Sequence, residues 1–315
     1  MRIAILDDYQ NVSQSIADWS PLAGRTEVTV FNKPIGNAET VADTLAGYDA
    51  IVCMRERTKL PASVIERLRD VKLIVTTGMR NASIDGQAAR AKGIALCGAR
   101  GVGAPAAELA WALVMGLMKN IAPDDRSMRN GEWQPNLGRT MGGKTLALLG
   151  LGNLGARMAK YGLAFGMDVI AWSQNLTDVR CAEIGVRRVA LNEALSVGDV
   201  VCIKLVLGDR TRGLIGAAEL AQMKPTAFLV NTSRGPIVDE AALIAALQKR
   251  TIAGAGLDVY DVEPLPLDHP FRSLDNILMS PHTGYVTQEN LAAMYTSVVQ
   301  AIAAFIDGDP VDVLN

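Results

Sequence analysis

The chain has 315 residues, enough for two domains, and 49% of them are hydrophobic, enough to bury a sizeable core. A net charge of −2 and a pI of about 5.8 exclude the large basic excess of a nucleic-acid-binding surface. Four scattered cysteines (Cys53, Cys97, Cys181 and Cys202) form no Cys-x-x-Cys pair, so they read as small buried hydrophobes rather than a disulfide framework, and no metal site is expected.

The chain opens on an apolar run, Ile3–Leu6, that stops at Asp7 and Asp8, too short for the core of a secretion signal. Further apolar runs follow at Val28–Phe31, Ala50–Cys53, Leu73–Val75 and Ile94–Leu96, with helical patterns at Ala38–Leu45 and Pro61–Leu68 between them. Pro105–Ile121 reads as a connecting helix. Its apolar stretch, Leu109–Met118, is flanked by Glu108 and Lys119 and falls short of the roughly 20 residues a bilayer span needs, so no membrane partner and a cytoplasmic location are expected. The Gly-, Pro- and charge-rich loop 122–143 reads as the least structured stretch. A second series of runs then appears: Leu146–Leu149, Val169–Trp172, Val200–Leu205, Phe228–Val230, Ala255–Val259 and Ile277–Met279. Gln288–Ile306 reads as a second connecting helix, with residues 307–315 returning to the first domain. Near-continuous apolar strands alternating with helices predict parallel sheets covered on both faces. The expected fold class is therefore α/β, with two doubly wound parallel-sheet domains.

Gly150-Leu151-Gly152-Asn153-Leu154-Gly155 follows one of these strands and opens a helix, the context a dinucleotide fingerprint requires. The first glycine makes the tight turn, the second admits the diphosphate, and the third lets helix pack on strand. The carboxylate that should meet the adenosine ribose about 20 residues on is missing. Ser173, Gln174 and Asn175 stand there instead, no carboxylate appears before Asp178, and no arginine before Arg180. A neutral pocket of this kind predicts NAD as cofactor, with NADP accepted.

Downstream, three separate loops carry one guanidinium, one carboxylate and one imidazole: Asn231–Gly235 with Arg234, Gly256–Tyr260 running into Glu263-Pro264, and Pro281–Gly284 with His282. A cation holds an anionic substrate, an imidazole moves a proton, and a carboxylate beside the imidazole orients it. The only other histidine, His269, lies in Leu267-Asp268-His269-Pro270-Phe271 and reads as structural.

These stretches, together with Met141–Leu146 before the fingerprint and Asp209–Ile215 after the fourth strand of the second series, resemble the D-isomer-specific 2-hydroxyacid dehydrogenase family over essentially the whole chain. The resemblance implies a Rossmann domain, residues 102–286, inserted into a discontinuous flavodoxin-like substrate domain, residues 1–101 plus 287–315. It also implies an active site in the cleft between them and a homodimer. Carried over by position, Arg234 binds the substrate carboxylate, His282 is the acid/base, and Glu263 is its partner. Gly150, Gly152, Asn153, Leu154, Gly155, Ser173, Gln174, Asn175, Lys204, Thr232, Ser233, Asp258 and Gly284 meet the cofactor. Arg55, Thr77, Gly78, Met79 and Arg80 meet the substrate, a small 2-keto or 2-hydroxy acid. Three departures stand out: Arg80 where the substrate loop usually has a second glycine, Lys204-Leu205-Val206 in place of His-x-Pro, and the missing ribose carboxylate. Two other readings remain: a dinucleotide-sensing regulator, and a formate-type dehydrogenase on the same scaffold, whose members carry an amide where Glu263 stands.

Overall fold

A computed structural model describes residues 1–315, which form two compact units, 1–103 with 286–315 and 104–285. In chain order the first unit contributes β1 (Arg2–Ile5), β2 (Glu27–Val30), α1 (Val41–Thr44), β3 (Ala50–Cys53), α2 (Ala62–Ile65), β4 (Leu73–Thr77), α3 (Gly86–Ala91) and β5 (Ala95–Ala99). The second contributes α4 (Pro105–Met118), α5 (Ile121–Arg129), β6 (Thr145–Leu149), α6 (Asn153–Ala164), β7 (Asp168–Trp172), α7 (Asp178–Ile184), β8 (Arg187–Arg188) and α8 (Leu191–Val197). It continues with β9 (Val200–Ile203), α9 (Ala217–Gln222), β10 (Phe228–Asn231), α10 (Glu240–Gln248), β11 (Gly254–Leu257) and β12 (Ile277–Met279). The final helix, α11 (Gln288–Ile306), belongs to the first unit.

Both sheets are parallel throughout. The first runs β2-β1-β3-β4-β5 and the second β12-β11-β10-β9-β6-β7-β8. The inner strands β3, β9, β10 and β11 are buried at every position, as strands covered on both faces must be. The strand order reverses between β1 and β3 in one sheet and between β6 and β9 in the other. At such a reversal the connections leave to opposite faces, opening a crevice at the carboxyl ends of the strands. Strand β8 at the sheet edge carries two exposed arginines, paired with Glu193 and Asp178, which keep the open edge from recruiting another strand.

The first unit is completed by the far end of the chain. Helix α11 packs on β4 and β5, burying Leu291, Met294, Tyr295, Val298, Val299 and Ile302. By length and mean hydropathy of 1.2 this helix is apolar enough to cross a membrane, and its contacts with the sheet account for that apolar face. The tail then lies antiparallel along β5. Gly98 N donates to the Asp312 carbonyl, Leu314 N to that of Leu96, and the Asn315 side chain bonds Leu96 N and the Ile94 carbonyl.

Several boundaries differ from the sequence expectation. The pattern at 38–45 yields only the single helical turn α1, and 61–68 only α2. The connecting helix breaks at Asn120, whose left-handed backbone ends α4 and starts α5. Part of the expected loop 122–143 is therefore helical. α5 buries no residue, which is why no apolar period marked it. Strand β9 stops at Ile203, so Lys204 lies just past its end.

Asp199, at the start of β9, fastens the lower edge of the second sheet. Its carboxylate accepts from Thr145 N (2.8 Å) and from the Lys224 ammonium (3.0 Å). Burial pushes this carboxyl up, but the two donors outweigh burial and leave it below its ordinary value. A group depressed in the folded state stabilises above its unfolded value, and that contribution fades as pH falls through the folded one. Asp199→Asn should therefore cost roughly 1 kcal/mol at neutral pH, with the difference from wild type shrinking under acid. Denaturant unfolding at a series of pH values checks this, and a pH-independent difference would exclude a charge origin.

Candidate functional site

In the second unit the carboxyl ends of β6, β7, β9, β10, β11 and β12 carry the predicted residues. After β6, Gly150 takes φ +110°, and a Cβ there would stand 2.4 Å from the Lys204 carbonyl oxygen. A Cβ on Gly155 would stand 2.2 Å from the Gly150 carbonyl oxygen, so the third glycine is fixed by helix–strand packing. At Gly152 nothing lies within 4 Å of where a Cβ would project. Gly152 is also the cap of α6 and offers no side chain to its first-turn N–H groups. An open approach to uncapped helix donors is what a diphosphate needs, and these residues fit a dinucleotide.

The strand end after β7 is neutral, as expected. Asn175 is exposed, and the Gln174 amide donates to the Arg210 carbonyl rather than standing clear. The Arg180 guanidinium reaches the phosphate turn, with Nε donating to the Leu151 carbonyl at 3.4 Å and NH1 paired with Glu183 at 3.0 Å.

After β10 the chain turns sharply around Asn231. Its side chain accepts from Ser233 N (3.0 Å) and donates to the Arg234 carbonyl (2.9 Å), while Ser233 Oγ donates to the Ile203 carbonyl at 2.9 Å. Gly235 then packs directly on the next loop, and a Cβ there would lie 2.2 Å from the Tyr260 carbonyl carbon. Only glycine allows the Arg234 turn to sit against the chain leading to Glu263.

Glu263, preceding a cis peptide to Pro264, uses both oxygens. Oε1 accepts from Tyr260 N at 3.0 Å, and Oε2 lies 2.5 Å from His282 Nδ1. His282 occupies the left-handed region at φ +54°, unusual for a residue with a side chain, and its ring stands edge-on to Tyr285. Asp258 holds this loop from beneath. Its Oδ1 accepts from Ser280 Oγ (2.7 Å) and Thr283 N (2.8 Å), and its Oδ2 from Gly284 N (2.9 Å). Burial pushes the Asp258 carboxyl up, against the pull of those donors and of His282. A Cβ on Gly284 would lie 2.9 Å from Asp258 Oδ2, so that position too needs glycine. His269 is committed elsewhere, to Glu240 at 3.0 Å and to the Phe271 ring and amide.

In the first unit the ends of β3 and β4 meet. Arg55, left-handed at φ +51°, donates its backbone N–H to Thr77 Oγ1 (2.9 Å) and its NH1 to the Thr77 carbonyl (3.2 Å). Gly78 lies against that guanidinium at φ +119°, where a Cβ would meet NH1 at 1.9 Å. Met79 packs on Gly98, and Arg80 is exposed.

Four supporting residues escape sequence reasoning: Ser280 and Tyr260, which brace Asp258 and Glu263, Asn231, which shapes the Arg234 turn, and Asn81. The Asn81 amide bonds both the Arg55 carbonyl and Thr76 Oγ1. Asn231 alone had a signal, an asparagine ending a strand before a turn.

The chain is similar to known proteins of one family. Residues 111–284 match the family model described as D-isomer specific 2-hydroxyacid dehydrogenase, NAD binding domain. The glyoxylate reductase of Aeropyrum pernix is 35% identical over 260 residues, 79% of this chain and 78% of that protein. The D-3-phosphoglycerate dehydrogenase of Archaeoglobus fulgidus is 35% identical over 84% of this chain, which spans only 50% of that longer protein. The crystal structure of phosphoglycerate oxidoreductase from Vibrio cholerae is 33% identical, with a TM-score of 0.91 over 98% of this chain and 99% of that one.

Gly235→Ala tests the close approach. The added methyl must push the Arg234 turn off Tyr260, at roughly 1–3 kcal/mol of overpacking. Thermal unfolding should show the loss. An unchanged melting temperature would mean the two loops separate freely.

Proposed function

Since the chain belongs to the D-isomer specific 2-hydroxyacid dehydrogenase family and carries that family's NAD-binding domain, we propose that it interconverts a small 2-keto acid and its 2-hydroxy acid. Arg234, Glu263 and His282 are the catalytic set. The observation that carries this reading is the 2.5 Å contact between Glu263 Oε2 and His282 Nδ1. A carboxylate on Nδ1 fixes the ring's orientation and assigns the reacting proton to Nε2.

NADH, when bound, supplies the hydride. Gly150, Gly152, Asn153, Leu154 and Gly155 would hold its diphosphate at the start of α6, Asp258 would face its nicotinamide end, Thr232, Ser233 and Gly284 would line the cofactor site, and Ser173, Gln174 and Asn175 would meet the adenosine ribose. His282 delivers a proton to the C2 oxygen during reduction and removes it during oxidation. Arg234 grips the substrate carboxylate through its planar fork and polarises the C2 oxygen. In the first unit, the Thr77–Gly78–Met79 backbone with Arg55 and Arg80 forms the substrate-binding set. Glu263, a carboxylate, favours this reading over a formate-type reaction.

The family's homodimer is proposed for this chain too. Exposed Trp133 (75%) and Leu137 (93%), following α5, support an interface on the second unit, and sedimentation equilibrium checks it. Four unpaired, buried cysteines support a reducing, cytoplasmic setting.

A panel of glyoxylate, hydroxypyruvate, pyruvate and phenylpyruvate should identify a substrate. With it, His282→Gln should lower turnover by roughly 100-fold or more while cofactor affinity stays near wild type. Arg234→Lys should impair both KM and kcat, because lysine keeps the charge but loses the fork. Near-normal turnover in the first variant would remove His282 from the mechanism.

Cofactor choice should be weak. The strand end after β7 has no carboxylate to repel a 2′-phosphate, and Arg180 is already engaged with Glu183. We expect specificity constants for NADH and NADPH within about 10-fold, NADH ahead. A preference for NADPH of about 100-fold would instead mean that Arg180 leaves Glu183 for the phosphate.

A further inference from the structure

Lys204 stands where the strand order of the second sheet reverses, at the carboxyl end of β9 beside β6. Its backbone is locked against the phosphate turn. Its N–H donates to the Leu149 carbonyl (2.7 Å), its carbonyl blocks any side chain at Gly150, and its Cβ is 3.8 Å from where a Cβ on Gly155 would project. Its side chain crosses to the end of β10, where the ammonium donates to Thr232 Oγ1 at 2.5 Å. That hydroxyl is the only partner it has, and no carboxylate forms an ion pair with it.

A half-buried ammonium with one neutral partner is an unmatched charge. Burial accordingly holds it below the usual lysine range. The titratable groups acting on it are few. The Cys202 thiol, on the same strand, is kept protonated by burial. The Asp258 carboxyl, after β11, acts on it through charge alone and is already bonded to Ser280, Thr283 and Gly284. Gly150 on the turn after β6, Gly155 on α6 and Thr232 after β10 also lie against Lys204, and none of them titrates.

We propose that Lys204 is the cationic partner of the cofactor's diphosphate, and that the dinucleotide and a proton bind together. The diphosphate supplies the anion this site lacks, and the proton comes from solvent onto Nζ. Binding raises the lysine toward its ordinary range, so proton uptake falls between its free and bound values. Cofactor affinity then weakens as pH rises through that window. The inference rests on the NAD-binding domain and not on the roles given to Arg234, Glu263 or His282. Its test accordingly reads binding rather than turnover.

Titration calorimetry of the full chain with NADH, and with ADP-ribose, at a series of pH values below the usual lysine range and in buffers of different ionisation enthalpy counts the protons. Wild type should take up a fraction of a proton with either ligand. Lys204→Met, close in volume and uncharged, should take up none and bind about 10-fold or more weakly, with no dependence on pH. Lys204→Arg, charged throughout, should bind without uptake across the same range. Matching circular dichroism spectra establish that the variants are folded. Wild-type binding without proton uptake, or Lys204→Met binding as tightly as wild type, overturns the proposal. Failure of His282→Gln to lose turnover would leave it standing.

Discussion

The second unit's site depends on one buried carboxylate. Asp258 directly follows β11 and receives three donors from the loop that follows β12, so the position of His282 is set from beneath by bonds its own side chain does not make. A charge with so little water around it is tolerable only while those donors stay in place. The cost of burying Asp258 therefore also restrains the loop. His282 can occupy a left-handed backbone because its neighbours Thr283 and Gly284 are pinned on one side and Glu263 holds its ring on the other.

Parallel topology does the rest. All strands of a sheet point the same way, so every connection that leaves a carboxyl end leaves it at the same edge. Residues far apart in sequence, such as Gly150, Lys204, Thr232 and Asp258, arrive there together without long loops to carry them. Glycines then set the spacing: Gly235 lets one loop rest on the next, and Gly150 lets the phosphate turn rest on Lys204.

Much of this was legible in the sequence, and the reason differs by element. Buried parallel strands announce themselves as short Val/Ile/Leu runs, so the two series of strands could be read directly. The short helices α1 and α2 could not be sized, because one apolar turn looks the same whether or not the helix continues. α5 was missed because it buries nothing, and β8 because two arginines carry no strand pattern. Arg234, Glu263 and His282 stood out as candidates because a guanidinium, a carboxylate and an imidazole on successive loops already suggest a reaction. Ser280 and Asn81 were not, because a hydroxyl or an amide that braces a functional group has no local signature. Its role exists only once distant strands are paired.

The antiparallel pairing of residues 312–315 with β5 imposes an order on synthesis. When the first 103 residues leave the ribosome, the outer edge of β5 has nothing to pair with, and the face that α11 will cover is bare. The second unit emerges whole before either arrives. It is free to fold on the ribosome while the first unit waits, its edge strand open to any other chain nearby. The interval is the time needed to translate everything from Ala104 to Asn315. A nascent chain stalled in that interval carries a finished nucleotide domain and an unfinished sheet, which is the species a chaperone would meet.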